Sequence, residues 1–232
     1  KHKISDIKKF YITASGGPFL NYKIKDFKNI TPAKALKHPT WKMGKKISID
    51  SSTLMNKMLE LIEAQKLFNI PNKKLEILIH PNSLVHAIIE LKNGLCEFIY
   101  HENSMIIPIA NAIFDKNLSI DKFYKIKNTA FNKNLIFKEV DKKKFPIIKI
   151  KNVINKYPSS SIIINAANEL VVDRFLKGKI PFLGISKIIM SVLKDRNFKK
   201  NAVIRPLKLN QIIEIDKWSQ KVAQSRIKEN YV

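Results

Sequence analysis

Leu84-Val85-His86-Ala87-Ile88-Ile89-Glu90-Leu91-Lys92-Asn93-Gly94-Leu95-Cys96-Glu97-Phe98-Ile99-Tyr100 carries the signal on which the fold turns. Two apolar runs rich in β-favouring residues flank Lys92-Asn93-Gly94, and Asn-Gly supplies the positive-φ pair that a tight hairpin needs. The stretch therefore reads as antiparallel β-structure, with Cys96 a small core residue inside a strand. Working outward, Leu75–Ile79 is a further strand, and Lys9-Phe10-Tyr11-Ile12-Thr13 is another that runs into the sharp turn Ala14-Ser15-Gly16-Gly17-Pro18. Thr31-Pro32 pairs an N-cap with proline at the first helical position, which predicts a short helix over 32–37. It stops there, because the residue before Pro39 is pushed out of the α region.

From Ser52 to about Asn69 the spacing is helical, with Asp50, Ser51 and Ser52 offering N-cap oxygens. Leu54, Met55, Met58, Leu59, Leu61, Ile62 and Leu67 form its buried side, while Thr53, Asn56, Lys57 and Glu60 share the other face. After residue 145 the pattern is mainly helical, over roughly 147–156, 161–177, 184–195 and 208–230. The fold class is α+β: a mixed part with a β-sheet, then a C-terminal α-helical bundle. Its division is an α+β domain over 1–114, a Lys/Asn-rich linker over 115–144 and a helical domain over 145–232, with the helices at 52–69 and 161–177 the longest.

Composition narrows the class of protein. The 232 residues are 45% hydrophobic and 27% charged, the balance of a folded globular chain. No apolar run approaches the ~18–20 residues of a membrane span, so no membrane partner is expected. The start at Lys1 has neither an initiator Met nor a signal-peptide core, which marks a fragment, and one cysteine fits a reducing compartment. The net charge of +24 invites a nucleic-acid reading. Against it, only four of the 43 basic residues are arginine, and the lysines are spread evenly among Ile and Asn, as an A+T-rich genome would produce.

Three segments can carry chemistry. In Ser15-Gly16-Gly17-Pro18-Phe19 paired glycines let backbone amides approach an anion, although a plain tight turn explains them as well. His38-Pro39-Thr40-Trp41-Lys42-Met43-Gly44 is a loop whose Trp either packs beneath it or closes over a ligand. In Asp50–Glu60, Ser51, Asn56 and Lys57 add donors and a charge to a helix start, and Glu60 is an oxygen ligand one turn further on. The alternative for that last pair is a solvated Lys57–Glu60 ion pair. His80 and His86 could ligate a metal, but no carboxylate or Cys spacing supports it; His80, before a proline, is structural. Met105 and Pro108 either line a pocket mouth or belong to the core.

Taken together these segments, with Asp50-Ser51-Ser52-Thr53-Leu54-Met55-Asn56-Lys57, His80-Pro81-Asn82-Ser83-Leu84-Val85-His86 and Asn165-Ala166-Ala167-Asn168-Glu169, resemble the 1-deoxy-D-xylulose 5-phosphate reductoisomerase family. The resemblance implies a rearrangement followed by hydride transfer from NADPH, with Mn²⁺ or Mg²⁺ (Co²⁺ also) chelating a small phosphorylated sugar. In the family's pattern Ser15, Ser51, Asn56 and Lys57 match phosphate-binding positions, and His38 a substrate-contacting one. Trp41 and Met43 match the lid, Gly44 a nucleotide-contacting position, and Glu60 one of three acidic metal ligands. Ser83 and His86 match pocket-wall positions.

In the family the other two carboxylates and the Gly-rich dinucleotide-binding domain lie upstream of the Ser-Gly-Gly turn. The resemblance thus implies a C-terminal part, inactive by itself, of an enzyme expected to be a homodimer in the bacterial cytoplasm, or in a plastid for a eukaryotic source. Asn103 departs from the family, where proline is frequent. Two other readings compete with this one: another phosphosugar oxidoreductase, and a basic RNA-binding module with Trp41 as stacking platform. The second leaves unexplained why Asn56, Lys57 and Glu60 share a face.

Overall fold

In the computed structural model, which describes residues 3–38, 41, 43–114, 118–126, 134–154 and 156–231, the Asn93-Gly94 signal yields a hairpin. Strands β3 (Val85–Leu91) and β4 (Cys96–Tyr100) pair antiparallel, with Ile88 opposite Phe98. Gly94, at φ +90°, closes the turn by donating its N–H to the Leu91 carbonyl at 3.1 Å. Strand β1 (Ile7–Ala14) lies between β3, antiparallel, and β2 (Leu75–Ile79), parallel. A two-residue β5 (Lys138–Glu139) pairs with β2 and completes the order β4-β3-β1-β2-β5. Alternation buries Leu75, Ile77 and Ile79 on one face of β2.

The sheet belongs to one compact unit, Lys1–Gly16 with Lys73–Val140; the other is Gly17–Asn72 with Asp141–Val232. Each is built from two segments separated along the chain. The reason is visible in β1, whose pairing partners lie more than sixty positions along the chain. The 115–144 stretch contains β5 and a 3-10 turn at Ile120–Lys122; its residues 115–117 and 127–133 lie outside the described ones. Helix α4 (Ile106–Phe114) also belongs to this unit. Cys96 is exposed, not core, because β4 is an edge strand whose residues are mostly exposed.

The second unit is helical. Thr31 caps α1 (Pro32–Ala35), its side chain accepting from the Lys34 N–H, as Thr-Pro requires. The single helix expected over 52–69 is two: α2 (Lys45–Thr53) and α3 (Met55–Phe68), separated by Leu54 at φ +65°. Asp50, Ser51 and Ser52 are therefore inside α2 and cap nothing. Thr53 ends α2 rather than joining the Asn56 face, and its Oγ1 accepts from the Met55 N–H at 3.3 Å. Met55, Met58, Leu61 and Ala64 are the buried side of α3, but Leu67 is 76% exposed.

Helices α5 (Ser160–Leu176), α6 (Phe182–Val192) and α8 (Leu209–Tyr231) pack together, with the short α7 (Phe198–Ala202) between the last two in sequence. At 23 residues α8 exceeds both helices expected to be longest. The helix expected at 147–156 is a 3-10 stretch, Pro146–Asn152, begun by proline. Phe182 sits 5.1 to 5.8 Å, ring to ring, from Phe19, Phe27 and Phe175. This aromatic cluster ties the Gly17–Asn72 part to the bundle through burial of large apolar rings.

Candidate active site

The second unit brings together residues that share one face in the sequence. Lys57 and Glu60 lie one turn apart at the start of α3, and Lys57 Nζ reaches both carboxylate oxygens of Glu60 at 2.8 Å. Lys57 is the more buried partner, 17% exposed against 37% for Glu60. The ion pair of the plain reading is thus present, but its cation is mostly withdrawn from solvent. Such a charge is available at little further desolvation cost to an anion that replaces the carboxylate.

His38 lies within reach of that charge. Its pKa is lowered first by burial and then by the positive Lys57, so the neutral imidazole is favoured. The Trp41 N–H donates to His38 Nδ1 at 3.0 Å, which places the ring proton of the neutral form on Nε2. Trp41 and Met43 are both half-buried. Pro39, Thr40 and Lys42 of the same loop lie outside the described residues.

Gly44 starts α2 at φ −61°, and a side chain there would meet nothing within 4 Å. Its carbonyl accepts from both the N–H and Oγ of Ser48. Ser51, 5% exposed, and Asn56, half-buried, lie on either side of the Leu54 break. Asn56 Oδ1 is buried without a hydrogen-bond partner, a cost a ligand donor would remove.

Ser15, Ser83 and His86 belong to the first unit. Ser83 is buried at φ +52°, its N–H donating to the His80 carbonyl. His86 is stacked on His101 at 3.7 Å between ring centres, and its Nε2 contacts the His101 carbonyl at 3.1 Å. Sequence reading missed His101, which nothing in the local pattern marks. His80 is fully buried, with Nδ1 2.9 Å from the Ile136 carbonyl, in keeping with a structural role. Met105 is 57% exposed, so a core role does not apply to it.

Among the described residues no group of three or more His, Cys, Asp or Glu could hold a metal ion. Glu60 offers one hard oxygen donor, partly exposed and charge-matched to a divalent cation. The described residues by themselves do not complete such a site.

The fold is that of solved reductoisomerase structures. A crystal structure of DOX-P reductoisomerase in complex with NADPH, fosmidomycin and magnesium superposes with a TM-score of 0.88 at 35% identity, over 96% of this chain and 56% of that one. The enzyme of Zymomonas mobilis in complex with NADPH gives 0.84 at 32%, over 97% and 56%. Residues 1–68 match the family model described as 1-deoxy-D-xylulose 5-phosphate reductoisomerase C-terminal domain, and residues 102–222 that described as DXP reductoisomerase C-terminal domain. The chain belongs to the 1-deoxy-D-xylulose 5-phosphate reductoisomerase family.

The relative from Pelagibacter ubique is 44% identical over 214 residues, 91% of this chain and 54% of its own. One from Wolbachia of Brugia malayi is 43% identical over 225 residues, 96% and 56%. The chain thus spans about half the length of the curated relatives it matches.

Proposed function

We propose that this chain is the substrate-handling part of an NADPH-dependent 1-deoxy-D-xylulose 5-phosphate reductoisomerase. The reaction rearranges the phosphorylated ketose and reduces it to 2-C-methyl-D-erythritol 4-phosphate. The observation that carries the reading is the mostly buried Lys57 cation at the start of α3, beside a half-buried His38 whose neutral form it favours. An enzyme that recognises a phosphate remote from the reacting carbons can use that binding energy to close a loop and orient the substrate.

In this reading Lys57 supplies charge to the phosphate, and Ser51 and Asn56 supply hydrogen bonds. Asn56 would donate through Nδ2, while its unpartnered Oδ1 is free to accept from a substrate hydroxyl. Ser15 joins them by resemblance. His38, proton on Nε2, donates to a substrate oxygen without adding charge. Trp41 and Met43 form the apolar cover that excludes water, and Gly44 contacts the nucleotide. Glu60 would be one of the residues holding a divalent cation, Mg²⁺, Mn²⁺ or Co²⁺, once phosphate took its place on Lys57. Bound there, the cation supplies Lewis-acid polarisation of the substrate's oxygens.

Relatives crystallised with NADPH and magnesium support both cofactors. The exposed edge strand β4, with Phe98 and Ile99 47% and 51% exposed, supports a homodimer. Bacterial relatives and the lone Cys96 suit a bacterial cytoplasm.

The test is NADPH oxidation by the full-length protein with 1-deoxy-D-xylulose 5-phosphate across a divalent-metal series. Substrate-dependent oxidation that vanishes on chelation is the expected result; none in any metal overturns the reading.

A further inference from the structure

Asp50 is 2% exposed within α2, and both its carboxylate oxygens are engaged. Oδ1 accepts from Asn168 Nδ2 at 2.8 Å, and Oδ2 pairs with Lys46 Nζ at 2.9 Å. Asn168 is fully buried at the middle of α5, 118 positions further along the chain. It lies among Ile164, Ala167, Val171 and Val172, which are all buried along the same helix. A carboxylate and an amide are thus bridged against a largely apolar stretch of α5.

Stability alone does not account for this. Withdrawing a carboxylate from water costs several kcal/mol, and well-packed apolar residues in place of such pairs are often as stable. What a directed hydrogen bond adds is register: an apolar contact tolerates sliding, whereas 2.8 Å between Nδ2 and Oδ1 does not.

The register matters because the chain bends into the candidate site directly after Asp50. The Ser51 carbonyl accepts from the Leu54 N–H at 3.2 Å, where the backbone turns left-handed. Thr53 Oγ1 contacts the Asp50 carbonyl at 3.1 Å and accepts from the Met55 N–H, the first residue of α3. Asn56 and Lys57 come next. A continuous set of short bonds therefore runs from Asn168 through the end of α2 into the first turn of α3.

We propose that Asp50 and Asn168 are a positioning pair that locks the register of α2 on α5, and through it the placement of Ser51, Asn56 and Lys57. Neither side chain touches the substrate. The inference rests on the phosphate-binding reading of those three residues, and the experiment separates the two.

Inorganic phosphate binding to the full-length protein is measured by calorimetry at fixed ionic strength, beside thermal unfolding and KM and kcat for the phosphosugar. Asp50→Ala, which removes the oxygen that accepts from Asn168, is followed together with Asn168→Ala, so that one variant remains if the other fails to fold. Each is expected to weaken phosphate binding about tenfold, equal to ~1.4 kcal/mol, and to raise KM with little change in kcat. The reciprocal exchange D50N/N168D restores an amide-to-carboxylate bond across the same gap and is expected to recover affinity. Val171→Ala, a cavity in the same buried helix, is expected to lower the unfolding midpoint without touching phosphate affinity.

Phosphate affinity unchanged in Asp50→Ala and Asn168→Ala, a loss matched by Val171→Ala, or no recovery in the exchange overturns the positioning pair. Lys57→Ala tests the underlying reading. If it binds phosphate like the wild type, the phosphate assignment falls. If it alone loses phosphate, only the positioning pair falls.

Discussion

Gly17 lies against the Ser51 backbone so closely that a Cβ at Gly17 would stand 2.8 Å from the Ser51 carbonyl oxygen and 3.3 Å from Ser52 Cα. Gly17 also has φ +65°. Two of the segments singled out in the sequence thus meet backbone to backbone, without any side chain between them. The second glycine of Ser15-Gly16-Gly17 is required by this approach as well as by the turn.

Gly17→Ala should therefore lower stability by about 1–3 kcal/mol from the left-handed strain alone, and more if α2 cannot yield. Gly44→Ala, at negative φ with open space around it, should stay within about 0.5 kcal/mol of wild type. Thermal unfolding of the two variants side by side gives the comparison; equal effects would refute the close-approach argument.

Lys57 and Glu60 should fail differently in the full-length enzyme. Lys57→Ala removes a charge-assisted bond of about 1.5–3 kcal/mol, so KM should rise about tenfold to a hundredfold, with a smaller loss of kcat. If Glu60 holds the cation as proposed, Glu60→Gln removes a charged ligand worth several kcal/mol, so kcat should fall about a hundredfold or more and the metal requirement should move to higher concentration. Both variants should stay folded, because neither residue belongs to the apolar set Met55, Met58, Leu61 and Ala64 that anchors α3. Steady-state kinetics over a Mn²⁺ series decides the matter. If instead the pair is only a surface contact, each change costs about 0.2–0.5 kcal/mol of stability and leaves kinetics intact.

The His38 environment sets a pH dependence. Its folded pKa lies below the ordinary 6.5, so as pH falls from 6.5 the unfolded chain takes up a proton before the folded one does. The contribution of His38 to stability is full above 6.5 and is lost as pH falls through the lowered folded value. An imidazole NMR titration should give a midpoint below 6.5. In Lys57→Ala the midpoint should rise yet remain below 6.5, because burial, the larger cause, persists. A wild-type midpoint at or above 6.5 would contradict this environment.

The β4 edge predicts the association state. Ile99→Lys places a charge on an exposed edge strand, a device that blocks strand-to-strand pairing. Sedimentation of the full-length protein should show a dimer for the wild type and a shift toward monomer for Ile99→Lys, with the unfolding midpoint of the monomer nearly unchanged. A variant that remains fully dimeric removes β4 from the interface.

Sequence alone determined the features whose physics is local. Asn93-Gly94 closes its hairpin because Gly94 takes the positive φ the turn requires, and Thr31-Pro32 starts a helix because a hydroxyl and a preset φ suffice. The shared face of Asn56, Lys57 and Glu60 follows from helical spacing, which no distant contact alters. Only tertiary structure decided the rest. Leu54 carries no sign of a left-handed break, yet it stands at φ +65° with its side chain buried, just after an Asp50 that bonds Asn168, 118 positions away. Asp50 reads as a cap because its local geometry permits that, and burial against α5 claims its carboxylate instead. Cys96 reads as core because strand alternation does not say which strand is the edge. In each case the deciding energy is burial and pairing between segments far apart in the chain, and a local pattern does not encode which segments those are.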